Sequence, residues 1–523
     1  MYHVRKTKTA SGATAVQVVR YQARRTIICV HIGSAHDNEK VVLLEHEARK
    51  WIENSTGQEA LFPASEKGKQ KETILLVNKS QYLGVKYTFL YEVLSQQLHF
   101  FSFHALENQL LFDLALLRIV QPTSKLSSLK LLSTMFGIVY PRGHLYEAIA
   151  AMSSYKERVL ATVVQFAKEH YAFDFSMVFY DVTTLYFESF TEDEDRVDTD
   201  GNVIEKGLKR NGFSKDLKFN QPQIVVGLVV NNDGFPVSYE VFEGNTFEGD
   251  TFIPVIAGFK KKYAIENLTV VADAAMISFD NVDKLKEHHL SYIVGGRMAN
   301  LKLSEMEIIA QSLIGQTQDE KELAKKDGAS TRIMTERGLL ICDFSFKRYL
   351  KDKREMEKQV QKAKLLLAKH AGVKRAKFLT NRGKKKTDQV LNVVLIKRTK
   401  RLLGIKGYYT NLKDEADKTI IDHYHNLWHV ELAFRIAKSD LAARPIYHFK
   451  RPTIEAHILI CFMALAVVKH MELKTKKSIK QIVQLLQSIT EARIKNKLTG
   501  EIVVFREELS DEIEQLWKTL TKP

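Results

Sequence analysis

The chain has 523 residues, 45% hydrophobic and 27% charged, an ordinary globular composition too long for one core, so two to four domains are expected. No run of 18 or more uncharged apolar residues occurs, and the first residues, MYHVRKTKTASG, lack the apolar core of a secretory signal, so neither a membrane span nor export is expected. The net charge is +16, and three scattered cysteines (Cys29, Cys342, Cys461) with 17 histidines lacking zinc spacing argue against a disulfide framework or a structural zinc site and suit a reducing cytosol.

In chain order, Val16 to Val19 and Thr26 to Ile32 read as strands and Val41 to Asn54 as a helix. Residues 80 to 170 read as helical, with apolar positions at helical spacing in LENQLLFDLALLRIV and LSSLKLLSTMFGI. Ser127 to Ile138 followed by Gly143-His144-Leu145-Tyr146 could be a helix-turn-helix; plain helix packing is the alternative. From Ser176 the texture changes. Met177 to Phe187 reads as a strand, followed by an acidic loop, TEDEDRVDTDG, expected to be solvated. PQIVVGLVV, the turn NNDGF and PVSYEVFEG complete three antiparallel strands. DTFIPVIAGFKKKY reads as a helix, NLTVVADAAM as a strand, NVDKLKEHH as a helix and SYIVGGRM as a strand. The order is β-β-β-α-β-α-β.

Residues 300 to 415 interrupt this pattern, with two strand-like pieces, LLICDFSF and VLNVVLIK. Between Lys347 and Arg401 stand 20 Lys/Arg against 4 Asp/Glu, so this segment holds the whole charge excess. Such a block, carrying KRAKF and RGKKK, points to a polyanion partner, of which nucleic acid is the commonest. IIDHYHNLWHVELAFRIAKSDL then reads as an amphipathic helix, followed by apolar helices and a polar tail.

Two strands carry a carboxylate where apolar residues dominate: Asp181 in MVFYDVTTLYFES and Asp273 in VVADAAM. A buried charge is costly unless paired. If the first and fourth strands are neighbours, the two acids converge at the strand ends, where sites are built. Two carboxylates about 4 Å apart repel by about 4 kcal/mol at an effective dielectric of about 20, and a hard divalent cation removes the conflict. Glu431 is the candidate third acid. Tyr424, Glu431 and Lys438 stand seven residues apart and would share one helical face. Trp428, near that face, could stack on an unpaired base.

These residues resemble the DDE transposases of bacterial insertion sequences, specifically the group with a Tyr-Arg-Glu-Lys signature around the catalytic Glu. The matching pieces are FYDVTTLYFE, PQIVVGLVVNNDGFPVSYEVFEGNTFEGDT, VVADAAM and YHNLWHVELAFRIAKSDLAARPIYH. The resemblance implies an α/β chain with an RNase H-like (retroviral-integrase-like) mixed β-sheet core and flanking helices. Its organisation would be residues 1–65 as a small mixed region, 66–170 as a helical, terminal-repeat DNA-binding domain, 171–300 as the first part of the core, 301–415 as an inserted basic subdomain, 416–470 as the second part of the core, and 471–523 as a helical tail. Asp181, Asp273 and Glu431 would be the catalytic acids and the ligands of two Mg²⁺ ions, with Mn²⁺ able to substitute. Tyr424 and Lys438 would contact phosphates of double-stranded DNA at the element end. The family's Arg falls on Leu427 here, a departure for which Arg435 or His429 are the substitutes to consider. Lys384, Lys385 and Lys386, in the basic block, would clamp DNA. The two metal ions would activate a water or a DNA 3′-hydroxyl and stabilise the leaving oxygen, so that element ends are cut and joined to target DNA, by a homodimer in a bacterial, cytoplasmic, nucleoid-associated setting. The rival readings are an RNase H-fold nuclease without strand joining and a DNA-binding protein derived from a transposase that has lost catalysis. Nucleotide hydrolysis has no GxxxxGK[ST] loop to support it.

Overall fold

The computed structural model describes residues 2–22, 25–56, 80–276, 279–317, 319–368, 376–381, 389–497 and 500–522. The chain divides into two units: residues up to Tyr87 together with Thr490–Glu508, and Thr88–Ile489 together with Leu509–Pro523.

In the first unit, β1 (Tyr2–Lys8), β2 (Thr14–Gln22) and β3 (Arg25–Ala35) form an antiparallel sheet. Helix α1 (Asn38–Thr56) packs on it, burying Val41 and Ala48 against Val16 and Val18. Strand β4 (Ser80–Lys86) sits where helix was expected, and the C-terminal stretch 490–508 is strand rather than helical tail. Both differences have one cause: β4 is completed by the last part of the chain, in a three-stranded sheet with two strands introduced below. Local propensity at residues 80–86 gives way to that distant pairing.

In the second unit, helices α2 (Thr88–Phe100), α3 (Gln109–Val120), α4 (Lys125–Leu131), α5 (Arg142–Ala148) and α6 (Lys156–Tyr171) precede the main sheet. Asp113 of α3 is fully buried, and its carboxylate accepts from Tyr91, Tyr140 and Gln109, which satisfies the charge. Strand β5 (Met177–Tyr186) follows, then a short hairpin of β6 (Arg196–Val197) and β7 (Val203–Glu205). This hairpin is the acidic loop expected to be merely solvated. Its acids are engaged: Asp193 pairs with the buried Lys209 at 3.4 Å, and Asp195 accepts from the Gly207 amide at 2.7 Å and pairs with Arg210.

The sheet continues through β8 (Gln223–Val230), β9 (Pro236–Glu243), helix α7 (Glu248–Lys262), β10 (Thr269–Ala272), helix α8 (Phe279–Glu287) and β11 (Ser291–Gly296). The β-β-β-α-β-α-β order read from the sequence is the order found. Strand β8 is buried along its whole length, which explains its unbroken apolar run. Gly227, at its centre, leaves room for the Tyr180 ring: a Cβ there would stand 2.4 Å from the Tyr180 hydroxyl.

Helices α9 (Leu303–Leu313) and α10 (Glu320–Ala324) lead to β12 (Ser330–Thr335) and β13 (Gly338–Phe344), then the long helix α11 (Phe346–Ala368). Next come β14 (Leu379–Asn381), β15 (Gln389–Leu391), α12 (Val393–Arg401) and β16 (Ile405–Thr410). VLNVVLIK, expected as a strand, is therefore mostly helix. The Asn392 side chain accepts from the Leu395 amide at 2.9 Å, and this N-cap turns the β-branched run helical.

The eight-stranded sheet runs β12-β13-β16-β11-β10-β5-β8-β9. Strands β5, β10 and β11 are parallel, and the others pair antiparallel. Part of the insertion thus extends the main sheet. Without β16, β11 would present unpaired backbone groups at an edge.

Helices α13 (Asp417–His425) and α14 (Trp428–Arg435) follow, then α15 (Arg451–Thr475) and α16 (Ile479–Gln487). Strands β17 (Glu491–Asn496) and β18 (Ile502–Arg506) complete the β4 sheet, and α17 (Asp511–Thr521) closes the second unit, where Gln97 donates to the Leu520 carbonyl at 3.1 Å. By length and composition α15 could cross a membrane, but 94% of its apolar window is buried inside the protein, as befits a core helix.

Candidate active site

Strands β5 and β10 are parallel neighbours with Tyr180 opposite Ala272. The next residue on each is an acid, so Asp181 and Asp273 stand side by side where β10 ends. Asp181 is half-buried and Asp273 exposed. Burial pushes the Asp181 carboxyl up to about 6, with Asp273 and Glu248 adding to the shift while Lys215 opposes it.

Glu431 lies on α14, exposed. The helix expected over residues 420–441 is broken. Bonds from the His429 amide to the Asn426 carbonyl (3.0 Å) and from Val430 to Leu427 (3.2 Å) are of the tighter i→i−3 kind, and a π turn takes over at Ile436–Asp440. Tyr424, Glu431 and Lys438 therefore do not share one continuous helical face. Tyr424 is buried, and its hydroxyl donates to Asp273 Oδ1 at 3.1 Å. Gly295 backs it: a Cβ there would stand 2.5 Å from the Tyr424 oxygen and 3.0 Å from the Ala274 nitrogen. Lys406 of β16 rides 4.3 Å from the Tyr424 ring centroid. Tyr424 and Lys406 each feel the charges of both Asp273 and Glu431, which brings Glu431 near Asp273. Burial, with Arg348 nearby, lowers the Lys406 ammonium, while Asp273, Asp343 and Glu431 oppose that shift.

The other expected contact residues are placed as follows. Tyr424 is a buried residue whose hydroxyl bonds Asp273, with Gly295 behind it. The Lys438 side chain is 12% exposed and 3.6 Å from Asp216, which also binds Arg444, so it is a paired cation and not a free one. Trp428 is exposed and stacks on His429 at 4.0 Å, and Arg435 is exposed. Leu427 is buried, so this departure from the signature is a packing residue. Lys384, Lys385 and Lys386 lie outside the described residues.

Sequence reasoning missed Lys215, Glu248, Asp216 and Lys406. Lys215 Nζ donates to the Val182 carbonyl at 2.8 Å and pairs with Glu248 Oε1 at 2.8 Å, which puts a cation beside Asp181. The signal available was SKDLK, a charged run directly before a buried strand. Among the described residues no three His, Cys, Asp or Glu side chains stand close enough together to hold a metal ion. The Asp181–Asp273 pair fits a hard cation in donor chemistry: two carboxyl groups side by side, one of them raised to about 6 by burial and like charge.

The family profile described as "Transposase DDE domain" matches residues 191–467, more than half of the chain. The chain belongs to the DDE transposase family. The match begins after Asp181 and takes in Asp273 and Glu431. No curated protein matches this transposase. One solved structure, "Mos1 transposase paired-end complex with left transposon end", is similar at 12% identity and TM-score 0.15, over 48% of this chain and 66% of that one, just under two thirds of its length.

Proposed function

We propose that this transposase binds the ends of an insertion sequence, cuts DNA phosphodiester bonds there and joins the 3′ ends to target DNA. The observation that carries the reading is the in-register pairing of β5 with β10, which sets Asp181 beside Asp273, with Glu431 near enough for its charge to act on Tyr424 and Lys406. The order β9-β8-β5-β10-β11, three antiparallel strands followed by two parallel ones, supports an RNase H-like core. Asp181 and Asp273 would hold divalent cations, Mg²⁺ or Mn²⁺, with Glu431 as the third acid. Such ions supply charge neutralisation at the phosphorus and a nucleophile at neutral pH. Tyr424 fixes one Asp273 oxygen, and Lys215 holds the β5 strand and Glu248 beside Asp181. Lys406 sets a positive charge near Asp273 and Glu431. The exposed Trp428 and Arg435, with the Lys384–Lys386 cluster, are the residues proposed to touch DNA. The working unit would be a homodimer pairing two ends, and the domain division given above for the DNA-binding and inserted parts belongs to the same reading.

The test is incubation of the full chain with terminal-repeat DNA, with Mg²⁺ or with EDTA. Metal-dependent nicks at the ends and joined products are expected, and Asp181→Asn, Asp273→Asn or Glu431→Gln should each abolish them while DNA binding persists. Wild-type cutting by any of the three would refute the assignment. One observation favours a second reading, a DNA-binding protein without catalysis: Leu427 is buried where the signature places a phosphate-binding Arg. Binding with no metal-dependent cleavage would select it.

A further inference from the structure

Away from the carboxylates, a cavity of about 910 Å³ opens between α4–α5 and the segment 442–457. Its lining carries Arg118, Lys125, Arg444, His448, Lys450 and His457, and no Asp or Glu. Three of these basic side chains are nearly enclosed: Arg118 is 6% exposed, Lys125 5% and His457 4%. Lys125 Nζ donates to His457 Nδ1 at 3.3 Å, while His457 Nε2 donates to the Ala443 carbonyl at 3.0 Å. That leaves the ammonium further N–H groups, and among the described residues no carboxylate pairs with Lys125 or Arg118. Burial, with Arg118 adding to it, pushes Lys125 well below its usual value, and burial with Lys125 and Arg118 does the same to His457. A buried basic group without a counter-charge is costly to ionise, and an entering anion removes that cost. The rim adds a second kind of group. Tyr146 (64% exposed) and Tyr447 (59%) offer exposed rings, as does Phe449 (63%), with Lys209 Nζ 5.4 Å from its centroid. Cations with exposed rings are the means by which proteins hold single-stranded nucleic acid, and the volume suits a ligand of nucleotide size.

We propose that this cavity binds a phosphate-bearing nucleotide of a single-stranded DNA end, the phosphate on Lys125 and Arg118 and the base on Tyr447 or Phe449. The cavity is coupled to the acids by contiguous contacts. Arg444 on its wall pairs with Asp216, and Lys215, the next residue, holds the strand that bears Asp181. The site thus deepens the DNA-cutting reading, on which it rests for the origin of the strand, by naming where a strand freed near the acids would go.

The experiment measures binding of the full chain, in EDTA so that no cutting occurs, to a labelled blunt duplex and to the same duplex with a single-stranded extension. The wild type is expected to prefer the extended probe. Lys125→Met, and separately Tyr447→Ala with Phe449→Ala, should each weaken the extended probe by about tenfold and the blunt one by less than about twofold, a loss of the size given by one stacked base or one phosphate contact. The aromatic pair is exposed, so that variant reads the site even if Lys125→Met fails to fold. Equal losses on both probes, no loss on either, or no preference in the wild type would overturn the proposal. So would saturation by free thymidine monophosphate at the affinity of the extended probe, since the ligand would then be a small nucleotide. A protein that prefers extended DNA in EDTA and never cuts with Mg²⁺ would sink the catalytic reading alone.

Discussion

Tyr424→Phe separates two roles for one residue. The signature around the catalytic Glu implies a phosphate contact, whereas the structure gives a buried hydroxyl donating to Asp273 Oδ1 at 3.1 Å. Phenylalanine keeps the ring and the Lys406 ammonium 4.3 Å from its centroid, so only the hydrogen bond is removed. A hydrogen bond to a charged acceptor contributes about 1.5–3 kcal/mol. Asp273 is exposed, so water replaces part of that and the loss should fall below that range, at about 1 kcal/mol. At 1.4 kcal/mol per factor of ten, the fraction of Asp273 in the observed orientation falls by roughly fivefold. Single-turnover cleavage of saturating end DNA should slow by about that factor, with the dissociation constant for the same DNA in EDTA changed by less than about twofold. A tenfold weaker dissociation constant with normal cleavage of bound DNA would refute the positioning role and restore the phosphate contact.

Lys215→Met should destabilise the protein by about 1–3 kcal/mol in urea denaturation, because it leaves the Val182 carbonyl without its donor and Glu248 without its partner, and it should also reduce cleavage; unchanged stability would mean that solvent already satisfies both groups. His470 gives a pH prediction. Burial lowers it to about 3, with Lys474 and His170 adding to the effect, and Tyr171 donates to its Nδ1 at 2.9 Å. A histidine kept neutral on folding contributes stability that is complete above its unfolded value and lost as pH falls below about 6.5, so about 2 kcal/mol should be lost by pH 5. The difference between the wild type and His470→Gln, measured by denaturation at pH 7 and pH 5, isolates that share, and parallel pH curves would contradict it. Replacing Lys384, Lys385 and Lys386 by Gln should weaken DNA binding and flatten the salt dependence by up to about 3 in log–log slope; an unchanged slope would return the basic block to a solvated hairpin.

The sequence alone determined the order of strands and helices in the core, since the apolar and β-branched residues of β5, an unbroken apolar run in β8 and a hairpin turn before β9 are local signals. It also determined which acids to watch, because a carboxylate at the end of an apolar strand is conspicuous at the level of single residues. Only the tertiary structure decided who stands beside them. Lys215, Glu248 and Lys406 reach the site from a loop, a helix start and an inserted strand, and nothing local in those segments records the neighbour they meet. Tyr424 and Lys438 show the same limit in reverse. Their seven-residue spacing presumes a regular helix, and the tight turn at Asn426–Leu427 with the π turn at Ile436 changes the rotation between them, so one faces Asp273 and the other Asp216. Strand β4 and the C-terminal strands were illegible for the matching reason: their pairing joins residues some four hundred positions apart, and the hydrogen bonds that make them strands exist only once the chain has come back to itself.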